Sequence, residues 1–108
     1  MPQTHKVLGQ SSPSANTTAD LYTTPASTQT IVSTIAICNR SASTTYRIAV
    51  RPAGATLANQ HYLVFDAFAE ANNTTFLTLG VSMAATDVLT VQGGTANLSF
   101  SAFGVEIT

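Results

Sequence analysis

The sequence predicts a small all-β domain, an antiparallel β-sandwich of jelly-roll or related Greek-key topology. Three observations carry this. Apolar residues recur at every second position in one run after another, β-branched and aromatic residues fill those runs, and Gly, Pro, Asn or Asp separate them at short spacing. With 108 residues, 44% of them hydrophobic, the chain has the size of one domain. It also has enough apolar surface to form a core without disulfides or metals.

The elements follow in chain order. Residues 1–16 are polar and interrupted by Pro13, and read as an N-terminal arm with a short strand over His5–Gly9; residues 17–108 hold the sandwich. Leu21–Thr23 is a short strand stopped at Pro25. Gln29–Cys38 is rich in Ile, Val and Thr, whose stiff branched side chains suit a pleated surface. There Ile31, Ile35 and Ile37 take one face, and Val32, Ala36 and Cys38 the other. Asn39–Ser43 turns the chain. Thr44–Arg51 alternates most cleanly, with Tyr46, Ile48 and Val50 pointing one way and Arg47, Ala49 and Arg51 the other. Pro52-Ala53-Gly54 ends that run. His61–Phe68 sets Leu63 and Phe65 against Tyr62, Val64 and Phe68. Asn72-Asn73 is a turn, and Thr75–Gly80 is a strand with Leu77 and Leu79 inward. Ala84–Asp87 is a tight turn before Val88–Gln92, where Leu89 and Val91 point in, and Gly93-Gly94 is a hairpin signal.

The last strand departs from this regularity. Leu98 and Phe100 share one phase, while Phe103, Val105 and Ile107 share the other. Because the side-chain period is two, one side of a regular strand cannot bury both sets. Either a β-bulge near Ser101-Ala102 restores a common inward face, or the strand is covered on both sides, the second cover being a neighbouring subunit.

Composition narrows the function. Only 8% of residues are Asp, Glu, Lys or Arg and the net charge is −1, against roughly 25% charged residues in ordinary soluble domains. Hydroxyls and amides replace them, giving a surface that a neighbour covers with little charge desolvation. Bulk charge provides no attraction to nucleic acid or to an anionic membrane. No apolar run approaches the roughly 20 residues that span a bilayer, and Met1-Pro2-Gln3-Thr4-His5-Lys6 lacks the apolar stretch of a secretory signal. Lone Cys38 allows no internal disulfide and reads as a small buried residue.

The inventory for chemistry is equally thin. His61 and Asp66 lie five residues apart on one strand and so face opposite sides, and no G-x-S-x-G elbow is present. His5, His61 and Cys38 lack zinc-site spacing, and the carboxylates are too scattered for calcium. The expectation is a protein that is not an enzyme and uses no cofactor or metal. Arg40, Arg47 and Arg51 are three of only 4 cationic residues. They are expected to share one side of a sheet, as a protein-interaction patch or simply as a solubilising face. Tyr22, Tyr46 and Tyr62 could form a sugar platform, although strand tyrosines more often serve cores and interfaces.

Several segments together resemble a known group. They are Leu21-Tyr22-Thr23-Thr24-Pro25-Ala26, Ile35-Ala36-Ile37-Cys38-Asn39-Arg40 and Tyr46-Arg47-Ile48-Ala49-Val50-Arg51-Pro52-Ala53-Gly54, with Phe76–Gly80 and Ala85–Val91. Over residues 21–108 the chain resembles small structural (virion) proteins of tailed bacteriophages. The resemblance implies synthesis in the host bacterial cytoplasm, residence in the virion and no catalytic residue. It implies first a capsid decoration (cement) protein that binds major capsid protein or other virion proteins. Such a subunit is expected to be a homo-oligomer, with a trimer favoured. The second expectation is a tail, fibre or baseplate component, and a third, from another class, is a carbohydrate-binding domain.

Overall fold

The computed structural model describes residues 2–108; Met1 lies outside the described residues. Eight strands form: β1 (Gln3–Ser11), β2 (Ala19–Thr23), β3 (Gln29–Asn39), β4 (Thr44–Arg51), β5 (Tyr62–Ala69), β6 (Thr74–Met83), β7 (Val88–Gly93) and β8 (Leu98–Ile107). They make two four-stranded sheets, ordered β1-β8-β3-β6 (sheet A) and β2-β7-β4-β5 (sheet B). Every neighbouring pair is antiparallel. The chain changes sheet at each connection except β4–β5, and this order is that of a jelly roll.

The core lies between the sheets. Val32, Ile35 and Ile37 of β3 with Leu98 and Phe100 of β8 meet Ile48 of β4 and Leu89 and Val91 of β7, all essentially without solvent exposure. Tyr46 meets Phe100 edge-on with ring centroids 6.3 Å apart, a favoured aromatic geometry. Tyr46, Ile48 and Val50 of β4 turn to the core as the sequence predicts, while Ala49, on the other phase with Arg47 and Arg51, is also buried.

Several expectations need correction. Residues 3–11, expected within a separate arm, are the edge strand β1, paired along β8 from Gln3↔Ile107 to Ser11↔Phe100. Their polarity misleads because an edge strand can face solvent; Leu8 enters the core and Pro13 is also buried.

In β5, Phe65 and Asp66 together oppose Arg47, and Leu63 is a further extra residue between Val64 and Tyr62. The Asp66 bulge, with φ 55°, turns Phe68 to the exposed side with Phe65. Tyr62 turns out too and meets the Phe65 ring edge-on at 4.9 Å.

In β6, Leu79 and Gly80 together oppose Ser33, so Leu79 is exposed rather than inward. Gly80 adopts the φ of +63° that this bulge requires. Finally, Gly93-Gly94 carries the chain from sheet B to sheet A instead of closing a hairpin.

The two-phase strand β8 contains no bulge of its own. The extra residues sit on its neighbours, Leu8 of β1 and Ser33 of β3. Ser33 also shifts the phase of β3, so Ile31 is exposed while Val32, Ile35 and Ile37 are buried. β8 therefore keeps Leu98, Phe100 and Ala102 inward and presents Phe103, Val105 and Ile107 outward.

Candidate functional site: an uncharged sheet face

The outer face of sheet A follows from strand register. One row across it is His5, Val105, Ile31 and Ser82; the next is Val7, Phe103, Thr34 and Thr78. Towards one end come Ser101, Ala36 and Phe76, then Ser99, Cys38 and Thr74; towards the other, Gln3, Ile107 and Gln29. Among the described residues, no Asp, Glu, Lys or Arg occupies these rows. Val7, Ile31 and Phe76 are well exposed, and Phe103, Val105 and Ile107 are half-buried. Cys38, expected to be buried, is likewise half-buried here.

A shallow groove of about 390 Å³ runs over β8 at Phe103, Gly104 and Val105, with Ile31 and Ser33 on one flank and His5 and Lys6 on the other. A second, of about 430 Å³, opens beside Ile31 and Ile107, with Met83 and Asp87 at its far side. Both are open depressions lined mainly by apolar and hydroxyl groups. Such a surface can exchange water for another apolar surface, but it offers little to polarise a substrate or move a proton.

The charged residues stand off these rows, with Lys6 and Asp87 only at the groove margins, and most are paired. Lys6 meets Glu106 at 3.4 Å on the opposite phase of β8. Tyr22 donates its hydroxyl proton to Glu106 Oε2 at 2.5 Å and lies 2.8 Å from Thr30 Oγ1. Burial, and then the acceptor Glu106, push the Tyr22 phenol up to about 12. Asp87 accepts the Ala53 and Ala84 amides, each at 2.9 Å, and pins the β6–β7 turn.

Of the three arginines singled out in the sequence, Arg47 and Arg51 share the outer face of sheet B, whereas Arg40 lies in the turn after β3. Arg47 grips Asp66 through Nε at 2.6 Å and Nη2 at 3.1 Å. Its guanidinium lies 4.0 Å from the centroid of the Phe65 ring, an attractive cation–π placement. Arg47 holds the Asp66 carboxyl below the usual carboxylate range. Arg51 binds Asp20 at 2.9 Å and Thr90 at 3.0 Å, and donates to the Gly54 and Ala55 carbonyls. Arg40 donates to Ser12 Oγ at 3.0 Å and Ala96 O at 3.3 Å. Each guanidinium is thus already engaged within the chain.

His61 accepts the Ala58 amide on Nδ1 at 3.0 Å, a local turn contact, while His5 lies across the molecule's fold on β1 of sheet A. Among the described residues, no three His, Cys, Asp or Glu side chains gather in one place, and no helix is long and apolar enough to cross a membrane.

A second apolar surface lies on β5, where Leu63, Phe65 and Phe68 are all about half exposed or more. The sequence marks the sheet A face only through the conflicting phase of Phe103, Val105 and Ile107. Its lack of charge becomes visible once β1, β3 and β6 are known to flank β8. Comparison of the chain with protein-family models, with curated proteins and with solved structures finds no match in any of the three.

Proposed function

We propose that the protein is a structural virion subunit of a tailed bacteriophage, in the first instance a capsid decoration (cement) protein that binds across major capsid protein subunits. The observation that supports this best is the uncharged, apolar-centred outer face of sheet A. The largest contiguous apolar patch on a monomer is often a functional contact surface. Covering this one releases roughly 25 cal/mol per Å² of apolar area with no ion to desolvate. The exposed strip on β5 provides a second contact surface, and a subunit with two contact surfaces can tie neighbours together. Cementing then works mechanically: the added buried area must be lost before a joint in the shell opens, so the shell withstands more internal pressure. Tight attachment would rest on a few aromatic anchors such as Phe65, Phe68 and Phe76 rather than on net charge.

The second reading, a tail, fibre or baseplate component, draws on the same β5 strip, where Tyr62 and Phe65 form an aromatic edge that could meet a receptor. Copy number separates the two. Quantitative mass spectrometry of purified particles should find the protein at hundreds of copies if it covers the shell and at a handful if it belongs to the tail. Its absence from particles would contradict both.

A further inference from the structure

We propose that the outer face of sheet A joins two copies of this chain, packed face to face about a two-fold axis. This deepens the assembly reading above and rests on it only in taking the domain to be a subunit.

Charge supports a second copy as the occupant. In a two-fold contact every patch meets itself or its symmetry mate, so any net charge on the face would repel. No Asp, Glu, Lys or Arg stands in the rows of this face, and Lys6 and Asp87 reach only its groove margins, although the chain has 4 basic and 5 acidic residues to place. The outer face of sheet B is different: covering it would desolvate the Arg47–Asp66 and Arg51–Asp20 ion pairs.

Area agrees. The four strands are nine to eleven residues long. At about 3.3 Å per residue and 4.8 Å between strands, they make a face of roughly 600 Å² in projection. With side-chain relief and the rim at Phe76 and Leu79 this approaches the roughly 800 Å² per partner of a stable interface. Sheets that meet this way stack about 10 Å apart with interleaved side chains, and the groove over Phe103 and Val105 leaves room for a partner's Ile31 or Val7.

The edges, by contrast, are poorly suited to joining copies. All four edge strands carry an extra residue: Leu8 in β1, Leu21 in β2, Leu63 and Asp66 in β5, and Leu79-Gly80 in β6. Bulges twist an edge away from strand-to-strand pairing, which leaves the face. A two-fold contact joins copies in pairs; the threefold ring implied by the resemblance would need a second, different contact.

Sedimentation velocity of the intact chain from about 1 to 100 μM tests this. The wild type should be a dimer. Val105→Lys, which sets like charges across the axis, should weaken association by about a hundredfold or more while the far-UV circular dichroism stays unchanged. Thr45→Lys on the outer face of sheet B should remain dimeric. If Val105→Lys does not fold, Ile31→Lys, at an already exposed site, replaces it. A monomeric wild type, a trimer, or a folded Val105→Lys protein that dimerises like the wild type would overturn the proposal. A monomer that still joins particles, and loses them on Val105→Lys, would assign the face to the shell instead. A dimer that never joins particles would keep this pairing and contradict the virion reading.

Discussion

Ala102 and Phe103, adjacent in β8, face opposite sides of sheet A: Ala102 is fully buried beside Ile35, while Phe103 stands outside between Val7 and Thr34. Strand β8 stays regular because its neighbours absorb the irregularity, and Gly104 makes this possible. A Cβ at Gly104 would collide with the Ile31 carbonyl, so only glycine admits the close passage of the bulged β3. One strand thereby serves the core with one phase and an open face with the other.

The first prediction compares the two phases. Phe100→Ala should cost about 3–5 kcal/mol, because its ring is fully buried. Phe103→Ala should cost under about 1 kcal/mol when measured on dilute protein. Urea denaturation at low concentration measures both, and equal losses would show that the phase assignment is wrong.

A second concerns Asn39, which is buried at the end of β3. Its amide donates to the carbonyls of Ala42, Ala69 and Glu70, and its Oδ1 accepts the Ser41 amide. One side chain thus ties the β3–β4 turn to the β5–β6 turn. Asn39→Ala should lower stability on the order of 3 kcal/mol, since several buried groups lose their partner at once. A loss below about 1 kcal/mol in denaturant titration would mean that the clamp is dispensable.

Removal of residues 1–11 should destabilise the domain, not merely weaken its attachment. Strand β8 would lose a full ladder of pairing, and Leu8 alone contributes about 2 kcal/mol of burial. Differential scanning calorimetry should show a clearly lower Tm together with a tendency to aggregate through the newly exposed edge. An unchanged Tm would restore the independent arm.

Alkaline pH should unfold the domain earlier than ordinary tyrosine chemistry requires. The Tyr22 phenol titrates near 10.0 when free and about 12 when folded, so folding favours the protonated form. Stability from this group is therefore constant below pH 10 and declines between about 10 and 12, by on the order of 2 kcal/mol. Tyr22→Phe should flatten that decline. Urea midpoints measured across this pH range would contradict the assignment if the two proteins lost stability in parallel.

Much of this architecture was legible in the chain. Tyr46 and Ile48 against Arg47 is a pattern only a strand explains, and the turns at Asn39–Ser43 and Ala84–Asp87 stand where Asn, Ser and Asp mark them. The bulges were not legible. Asp66 adopts a positive φ without a glycine to announce it, and Ser33 leaves no trace in a polar-tolerant strand. Strand β1 was hidden because an edge needs little apolar sequence. The candidate face was half visible, through Phe103, Val105 and Ile107; its neutrality depends on strand order, which local periodicity does not encode. The partners of Arg47 and Arg51 were hidden for the same reason, since Asp66 and Asp20 reach them only across neighbouring elements.

The central claim, that this domain works by adding contact area to a virion, is tested most directly by heat-induced DNA release from particles that lack it. Such particles should assemble but release DNA at a lower temperature, and adding back the purified protein should restore resistance. Phe65→Lys or Phe68→Lys protein, folded but altered on the β5 strip, should restore it poorly. A wild-type protein that neither binds those particles nor shifts their release temperature would contradict the account.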